Sequence, residues 1–348
     1  MNKQCALPLL IASAVLIFSQ VVQADESARK VGAPFSFALI GDLPYPRTTS
    51  DLSLQQFGKL IDSINRDSSV KFVMHTGDIK AGSERCDDSL IKSRFDLFQK
   101  FRTAFIFTPG DNDWTDCHRP NNGRYNPLER LDFLRHTFFP TPKKSTGRRP
   151  ISVISQSMAH KATFAKYVEN VLFVRNRVVF STVHVVGSNN NLDPWSGIDL
   201  SDSYDNPRVD RIAEFQEREQ AAIAWLEYTF ATAEAENAAG VFILMQANPR
   251  FNLPVSDLQR TGFNQFLDKL AKLSQQYGKS VVLAQGDDHV FIVDKPFYTD
   301  TSPVNPAVRL PYFTRVQTFG DTRSQWIKVN VNPKSFPVFS FQEKIVNP

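Results

Sequence analysis

AFIFTPGDNDWTDCHRP, Ala104 to Pro120, leaves an apolar, β-prone run and enters at once a loop carrying three acids, a His, an Arg and a Cys. Gly110 and Asp111 explain part of this, because Gly and Asp satisfy a strand exit at low cost. They do not explain two carboxylates flanking an amide, Asp111-Asn112-Asp113, with a thiol close behind. The question is whether other strands end the same way.

Strand candidates are FSFALIGD (Phe35 to Asp42), VKFVMHTGD (Val70 to Asp78), AFIFTPGD (Ala104 to Asp111), VLFVRNRVVFSTVHVVG (Val171 to Gly187), GVFILMQA (Gly240 to Ala247) and SVVLAQGD (Ser280 to Asp287). Helical patterns lie between them at Leu52 to Asp67, Ser89 to Phe101, Pro127 to Phe139, Val209 to Ala235 and Leu258 to Gly278, the last closed by a glycine stop. Near-continuous apolar strands alternating with helices imply an α/β fold with sheet buried on both faces. After His289 the pattern turns to strand-like stretches, RSQWIKVNV and SFPVFSF, expected to finish a sheet of the same domain.

The exits do repeat: Gly41-Asp42, Gly77-Asp78, Gly110-Asp111 and Gly286-Asp287, the last running on to Asp288 and His289, while GVFILMQA delivers Gln246. One Gly-Asp pair is an ordinary turn or cap signal. Four brought to one sheet edge would repel unless a cation or proton held them. A metal site is the economical reading, and no Gly-x-Ser-x-Gly elbow or Walker-type loop competes with it.

At 348 residues and 42% hydrophobic content the chain can bury a full core. Its 40 basic and 36 acidic residues leave a net charge of +4, with the one basic run at Lys143 to Arg149. That excludes a nucleic-acid surface as the expectation. The start, MNKQ followed by an apolar stretch from Cys5 to Val22 and a small-residue exit, reads as a signal peptide over 1–24. An uncleaved anchor is disfavoured by Pro8, Ser13, Ser19 and Gln20 within the stretch. A single exported domain over 25–348, periplasmic or extracellular and without a membrane anchor after cleavage, is expected. Loss of Cys5 leaves Cys86 and Cys117, a pair expected to form a disulfide in an oxidising compartment.

From GDLPY at Gly41 through HTGDIK, PGDND and LMQANP to GDDH ending at His289, the order of motifs resembles the calcineurin-like metallophosphoesterases. The family's motifs run Asp-x-His, Gly-Asp, Gly-Asn-His-Asp/Glu, a lone His and Gly-His-x-His, and GDLPYP with GDNDWTDCHR is similar to a secreted branch. The resemblance implies a four-layer α/β/β/α sandwich with mixed sheets and hydrolysis of phosphate esters at a divalent-metal site. It matches Asp42 to the first-motif Asp and Asp78 to the metal-bridging Asp. Asp111 falls on the Asn ligand, Asn112 on the His that assists the leaving group, and Asp113 on the supporting acid. Gln246 falls on the lone His, Asp287 on the first His of the last motif and His289 on its second.

Several family histidines are therefore replaced, Pro44 standing at the first-motif His. The resemblance leaves Asp42, Asp78 and His289 for one ion, and Asp78, Asp111, Gln246 and Asp287 for another. Such an oxygen-rich set favours Mg²⁺, Mn²⁺ or Ca²⁺ over Zn²⁺, with one ion or two. Arg119 is a candidate phosphate clamp or a surface ion pair; Tyr45, Trp114 and His118 either shape a substrate pocket or pack the loop. Asn248 offers a further polar contact or a turn before Pro249, and His75 and His184 read as core histidines. The expected function is an exported metal-dependent phosphoesterase acting on a small-molecule or nucleotide-like phosphate ester. The alternative is a catalytically degenerate protein that binds metal, phosphate or a partner on the same fold.

Overall fold

Hydrophobic strands with no polar face need cover on both sides, and two sheets facing each other supply it here. In the computed structural model, residues 32–46, 52–297, 309–321 and 325–346 are described; the expected leader, 1–24, lies outside them. The strands are β1 (Phe35–Ile40), β2 (Val70–His75), β3 (Ala104–Phe107), β4 (Ile154–Ser155), β5 (Val171–Arg175), β6 (Val178–Thr182), β7 (Gly240–Leu244), β8 (Ser280–Gln285), β9 (Ile292–Asp294), β10 (Phe313–Gln317), β11 (Gln325–Val331) and β12 (Phe339–Ile345).

One sheet runs β12-β11-β1-β2-β3 and the other β4-β5-β6-β7-β8-β10-β9. Both are mixed. β1, β2 and β3 are parallel neighbours, as are β6, β7, β8 and β10, whereas β11, β12, β4, β5 and β9 join antiparallel. The late strand-like stretches β11 and β12 complete the first sheet, β11 pairing along β1 from Phe35↔Val331 to Leu39↔Ile327.

Three apolar layers follow. Between the sheets, Phe37 stacks on Phe72 at 4.8 Å and meets Phe242 of the opposite sheet edge-on at 4.9 Å. Burying each such ring is worth roughly 1.5–3 kcal/mol. Helices Ser53–Arg66, Asp88–Phe98 and Pro127–Phe138 cover the outer face of the first sheet through Phe57, Leu60, Ile61, Ile91, Phe98 and Leu134. Helices Val209–Ala235 and Asn264–Tyr277 cover the second through Trp225, Leu226, Phe266 and Leu270. The result is the α/β/β/α sandwich, and Gly32–Pro348 forms one compact unit.

Two local features differ from expectation. Val171 to Gly187 is not one strand: Asn176 and Arg177 take positive φ (49° and 60°) and fold it into the hairpin β5-β6. Beyond β6, residues 187–191 form a left-handed turn, with φ near +50° at Ser188 and Asn189 and +56° at Asn190. Elsewhere the helix Asn264–Tyr277 stops at Gly278, φ 62°, as its glycine signal predicts. Cys86 and Cys117 form a disulfide tying the loops after β2 and β3. Among the described residues no helix is long and apolar enough to cross a membrane.

Candidate functional site

Parallel strands emit their loops at the same edge. Asp42, Asp78 and Asp111 follow β1, β2 and β3, while Gln246 and Asp287 follow β7 and β8 of the facing sheet. The exits are stitched together by Asp42 N–H to the Gly77 carbonyl at 2.9 Å and Gly286 N–H to the Gln246 carbonyl at 2.8 Å. Asp42, Asp78, Asp287 and His289 all hold left-handed backbone, at φ 56°, 58°, 79° and 55°. For residues with a Cβ this costs roughly 1–2 kcal/mol each, and such strain concentrates at functional sites. Two glycines make room for the acids. A Cβ on Gly110 would sit 2.0 Å from Asp78 Oδ1, and one on Gly286 2.2 Å from Asp42 Oδ2.

The acids share a dense set of donors. Asp78 Oδ1 accepts from Asn112 N–H at 3.0 Å, and its Oδ2 from Tyr45 O–H (3.1 Å), Asn112 Nδ2 (3.0 Å) and Gln246 Nε2 (3.1 Å). Asp111 accepts from Gln246 Nε2 at 3.0 Å and from the Ser188 hydroxyl at 3.0 Å. Asp42 accepts from Asp287 N–H at 2.8 Å and Thr318 O–H at 3.1 Å, with His289 Nε2 3.6 Å away. Asp287 in turn accepts from Asn248 N–H at 3.0 Å. Asp113 faces backbone: Gly110, Asp78 and Ile79 all donate their N–H groups to it.

Arg119 stands off from the cluster. Its guanidinium pairs with Asp116 at 2.6 Å, and the Ser188 hydroxyl lies between Asp116 (2.8 Å) and Asp111 (3.0 Å), its single hydrogen shared between the two carboxyls. Beside this relay lies a cavity of about 310 Å³ lined by Arg119, Asp116, Ser188, Asp193, Trp195 and Gly197. His118 accepts from Gly197 N–H at 3.1 Å. The two other strand-edge histidines are buried in the core. His75 bonds the Leu43 carbonyl at 3.0 Å, and His184 takes Trp114 Nε1–H at 3.1 Å and meets Glu169 at 2.8 Å.

Burial pushes the Asp78 and Asp287 carboxyls well above the usual carboxylate range, and the neighbouring acids, Asp111 foremost, push them further. Burial raises Asp111 as well, against the pull of the Ser188 hydroxyl and Arg119. The cluster therefore disfavours full negative charge, and protons, or a cation in their place, relieve it. Asp42, Asp78, Asp287 and His289 are chemically suited to a hard cation, being carboxylate oxygens with one imidazole, and the cradles at Gly286 and Gly110 leave the Asp42 and Asp78 oxygens free of Cβ crowding. The Asp78–Asp111 side is unsuited, because the Gln246 amide turns its NH₂ to both acids. Among the described residues no three His, Cys, Asp or Glu side chains stand in an arrangement ready to hold an ion.

The left-handed turn was not foreseen as part of the site. Gly187 donates to Gln246 Oε1 at 2.6 Å, and a Cβ on Gly187 would sit 2.5 Å from Asp111 Oδ2. Its Gly-Ser-Asn-Asn-Asn composition was the available signal, since Gly and Asn tolerate positive φ best.

No family model matches the chain, and no curated protein matches it in sequence. In three dimensions it is similar to several solved structures, all at low sequence identity. One is GAP50, the anchor in the inner membrane complex of Plasmodium, at 11% identity and TM-score 0.47 over 91% of this chain and 90% of that one. Another is a 5'-nucleotidase from Candida albicans, at 9% identity and TM-score 0.44 over 90% of this chain and 51% of that one. A third is the NAD nucleotidase of Haemophilus influenzae, at 12% identity and TM-score 0.43 over 90% of this chain and 50% of that one.

Proposed function

We propose that the chain is an exported phosphoesterase that requires a divalent cation, with Asp42, Asp78, Asp287 and His289 holding the ion. The observation that carries this reading is the convergence of strand-exit acids from both sheets into one buried cluster on left-handed backbone. When bound, a divalent cation supplies Lewis acidity and neutralises phosphoryl charge. The chain's own groups do the rest. Asp113 fixes the two loops that aim Asp78 and Asp111, and Asp111 with Ser188 orients Asp116 and its partner Arg119. Arg119, with its side chain 43% exposed, can swing from Asp116 to a phosphoryl oxygen in the adjoining cavity.

Asn112 holds Tyr45 and Asp78 through its amide and has no proton to give a leaving group. Substrates with good leaving groups, aryl phosphates before alkyl ones, are therefore expected to turn over best. The test is the mature chain freed of metal and resupplied with Mn²⁺, Mg²⁺ or Ca²⁺, assayed on aryl phosphomonoesters, phosphodiesters and nucleotides beside Asp78→Ala. Cation-dependent turnover that falls roughly 10²-fold or more in the variant supports the proposal; equal rates in the two proteins sink it.

The same Asn112 geometry favours a second reading, a binding site that retains phosphate esters without cleaving them. Cation-dependent binding of phosphate with no turnover on any of these substrates would select it.

A further inference from the structure

We infer that the Gln246 carboxamide takes the place of a second cation, so that the cluster accepts one divalent ion per chain. This deepens the cation-dependent reading above and rests on it. Gln246 is fully buried at the end of β7, where its N–H bonds the Val185 carbonyl at 3.2 Å and its carbonyl accepts from Gly286 N–H at 2.8 Å. Its side chain therefore leaves a fixed backbone.

The amide's direction is set by chemistry. Gly187 N–H lies 2.6 Å from one terminal atom of Gln246, and a backbone N–H can only donate, so that atom is the oxygen. The other terminal atom is the NH₂. Its two hydrogens have two acceptors, Asp78 Oδ2 at 3.1 Å and Asp111 Oδ1 at 3.0 Å. Turning the amide over would oppose N–H to N–H at Gly187 and oxygen to oxygen at both acids. Each loss of that kind leaves a buried polar group without its partner.

Gly187 cannot retreat to permit the turn. The left-handed run behind it is anchored on three sides: Asn189 Nδ2 donates to Thr261 Oγ1 at 3.0 Å, Asn190 Nδ2 to the Gly262 carbonyl at 2.8 Å, and Asn191 Nδ2 to Glu214 at 2.7 Å. A cation between Asp78 and Asp111 would thus meet the positive end of a pinned amide. On the other side, Asp42 has Thr318, the Asp287 N–H and the His289 imidazole as neighbours, and no carboxamide NH₂ faces it among the described residues. Two amide hydrogens in place of a divalent charge hold the Asp78–Asp111 pair together without filling its place with metal.

The test counts ions. Mature wild-type chain, Gln246→His and Gln246→Glu are stripped, titrated with Mn²⁺ in a calorimeter, desalted and measured for bound manganese, with electron paramagnetic resonance reporting exchange-coupled pairs. One ion per wild-type chain with no coupled signal is expected, rising to two with a coupled signal in either variant. Gln246→Glu, nearly isosteric, covers the case in which Gln246→His does not fold. Two ions in the wild type overturns the inference while leaving the cation-dependent reading intact, as does a single ion in both folded variants. No ion in any of the proteins removes the reading itself and the inference with it.

Discussion

Asp113 joins two loops with one carboxylate: its oxygens accept from the backbone of Gly110 (2.8 Å), Asp78 (3.1 Å) and Ile79 (2.8 Å). An asparagine there would keep one acceptor and set an NH₂ against a buried N–H. Asp113→Asn is expected to lose about 1–3 kcal/mol, read as a lower urea midpoint at unchanged slope. An unchanged midpoint would mean that the Cys86–Cys117 bridge alone holds these loops. At this scale the letters placed the acids, because each stands directly after an apolar strand and a glycine. They did not disclose which way an amide faces. The orientation of Gln246 depends on Gly187, 59 residues earlier in the chain, and no local pattern encodes that contact.

Among the elements, the left-handed run at 187–191 is where sequence reading had least purchase. Consecutive left-handed residues are individually unfavourable, so the turn exists through its distant anchors rather than its own propensity. Asn190 shows this most plainly. Its carbonyl and side-chain oxygen both accept from Arg218, a wholly buried guanidinium that also pairs with Glu214 at 2.7 Å. Asn190→Ala removes the acceptor for Arg218, the donor to the Gly262 carbonyl and the residue's tolerance of positive φ together. We expect it to cost roughly 2–4 kcal/mol and, through Gly187 and Gln246, to loosen the acid cluster. A wild-type denaturation midpoint in Asn190→Ala would show that the turn is incidental. The β5-β6 hairpin was misread for a related reason, since its turn is Asn176-Arg177 with no glycine to mark it. The disulfide, by contrast, followed from counting thiols. It closes a 31-residue separation, so replacing both cysteines by serine is expected to cost roughly 3–4 kcal/mol on the loop-entropy account, again by urea midpoint. A loss below about 1 kcal/mol would mean that hydrogen bonds such as Cys86 N–H to the Asn122 carbonyl suffice to close the loops.

For the molecule as a whole, the two sheets were legible because their strands are apolar on both faces, but the polar pin across the sandwich was not. Arg135 projects from helix Pro127–Phe138, which packs on the first sheet, and pairs at 2.5 Å with Glu169, which leads into β5 of the second. Glu169 also accepts from His184 Nδ1 at 2.8 Å, and His184 Nε2 receives the Trp114 N–H, which fixes the neutral Nδ1-protonated tautomer. Burial alone would raise the Glu169 carboxyl. The Arg135 charge and the His184 hydrogen bond outweigh it and hold the carboxyl at about 2, below its ordinary 4.5. A carboxylate depressed in the folded state contributes stability that is complete above pH 4.5 and is lost as pH falls toward 2. His184, kept below its ordinary value by burial, adds a loss of the same sign once pH drops beneath 6.5. Glu169→Gln strands Arg135 without a counter-charge, and about 3–5 kcal/mol should disappear near neutrality. Because the variant lacks the titrating group, its stability should fall less steeply between pH 4.5 and 2, and the two curves should converge at the acid end. Denaturant titrations at several pH values across that window decide the matter: curves that stay parallel would mean that Glu169 does not couple the two halves, and that the apolar layer between the sheets joins them unaided.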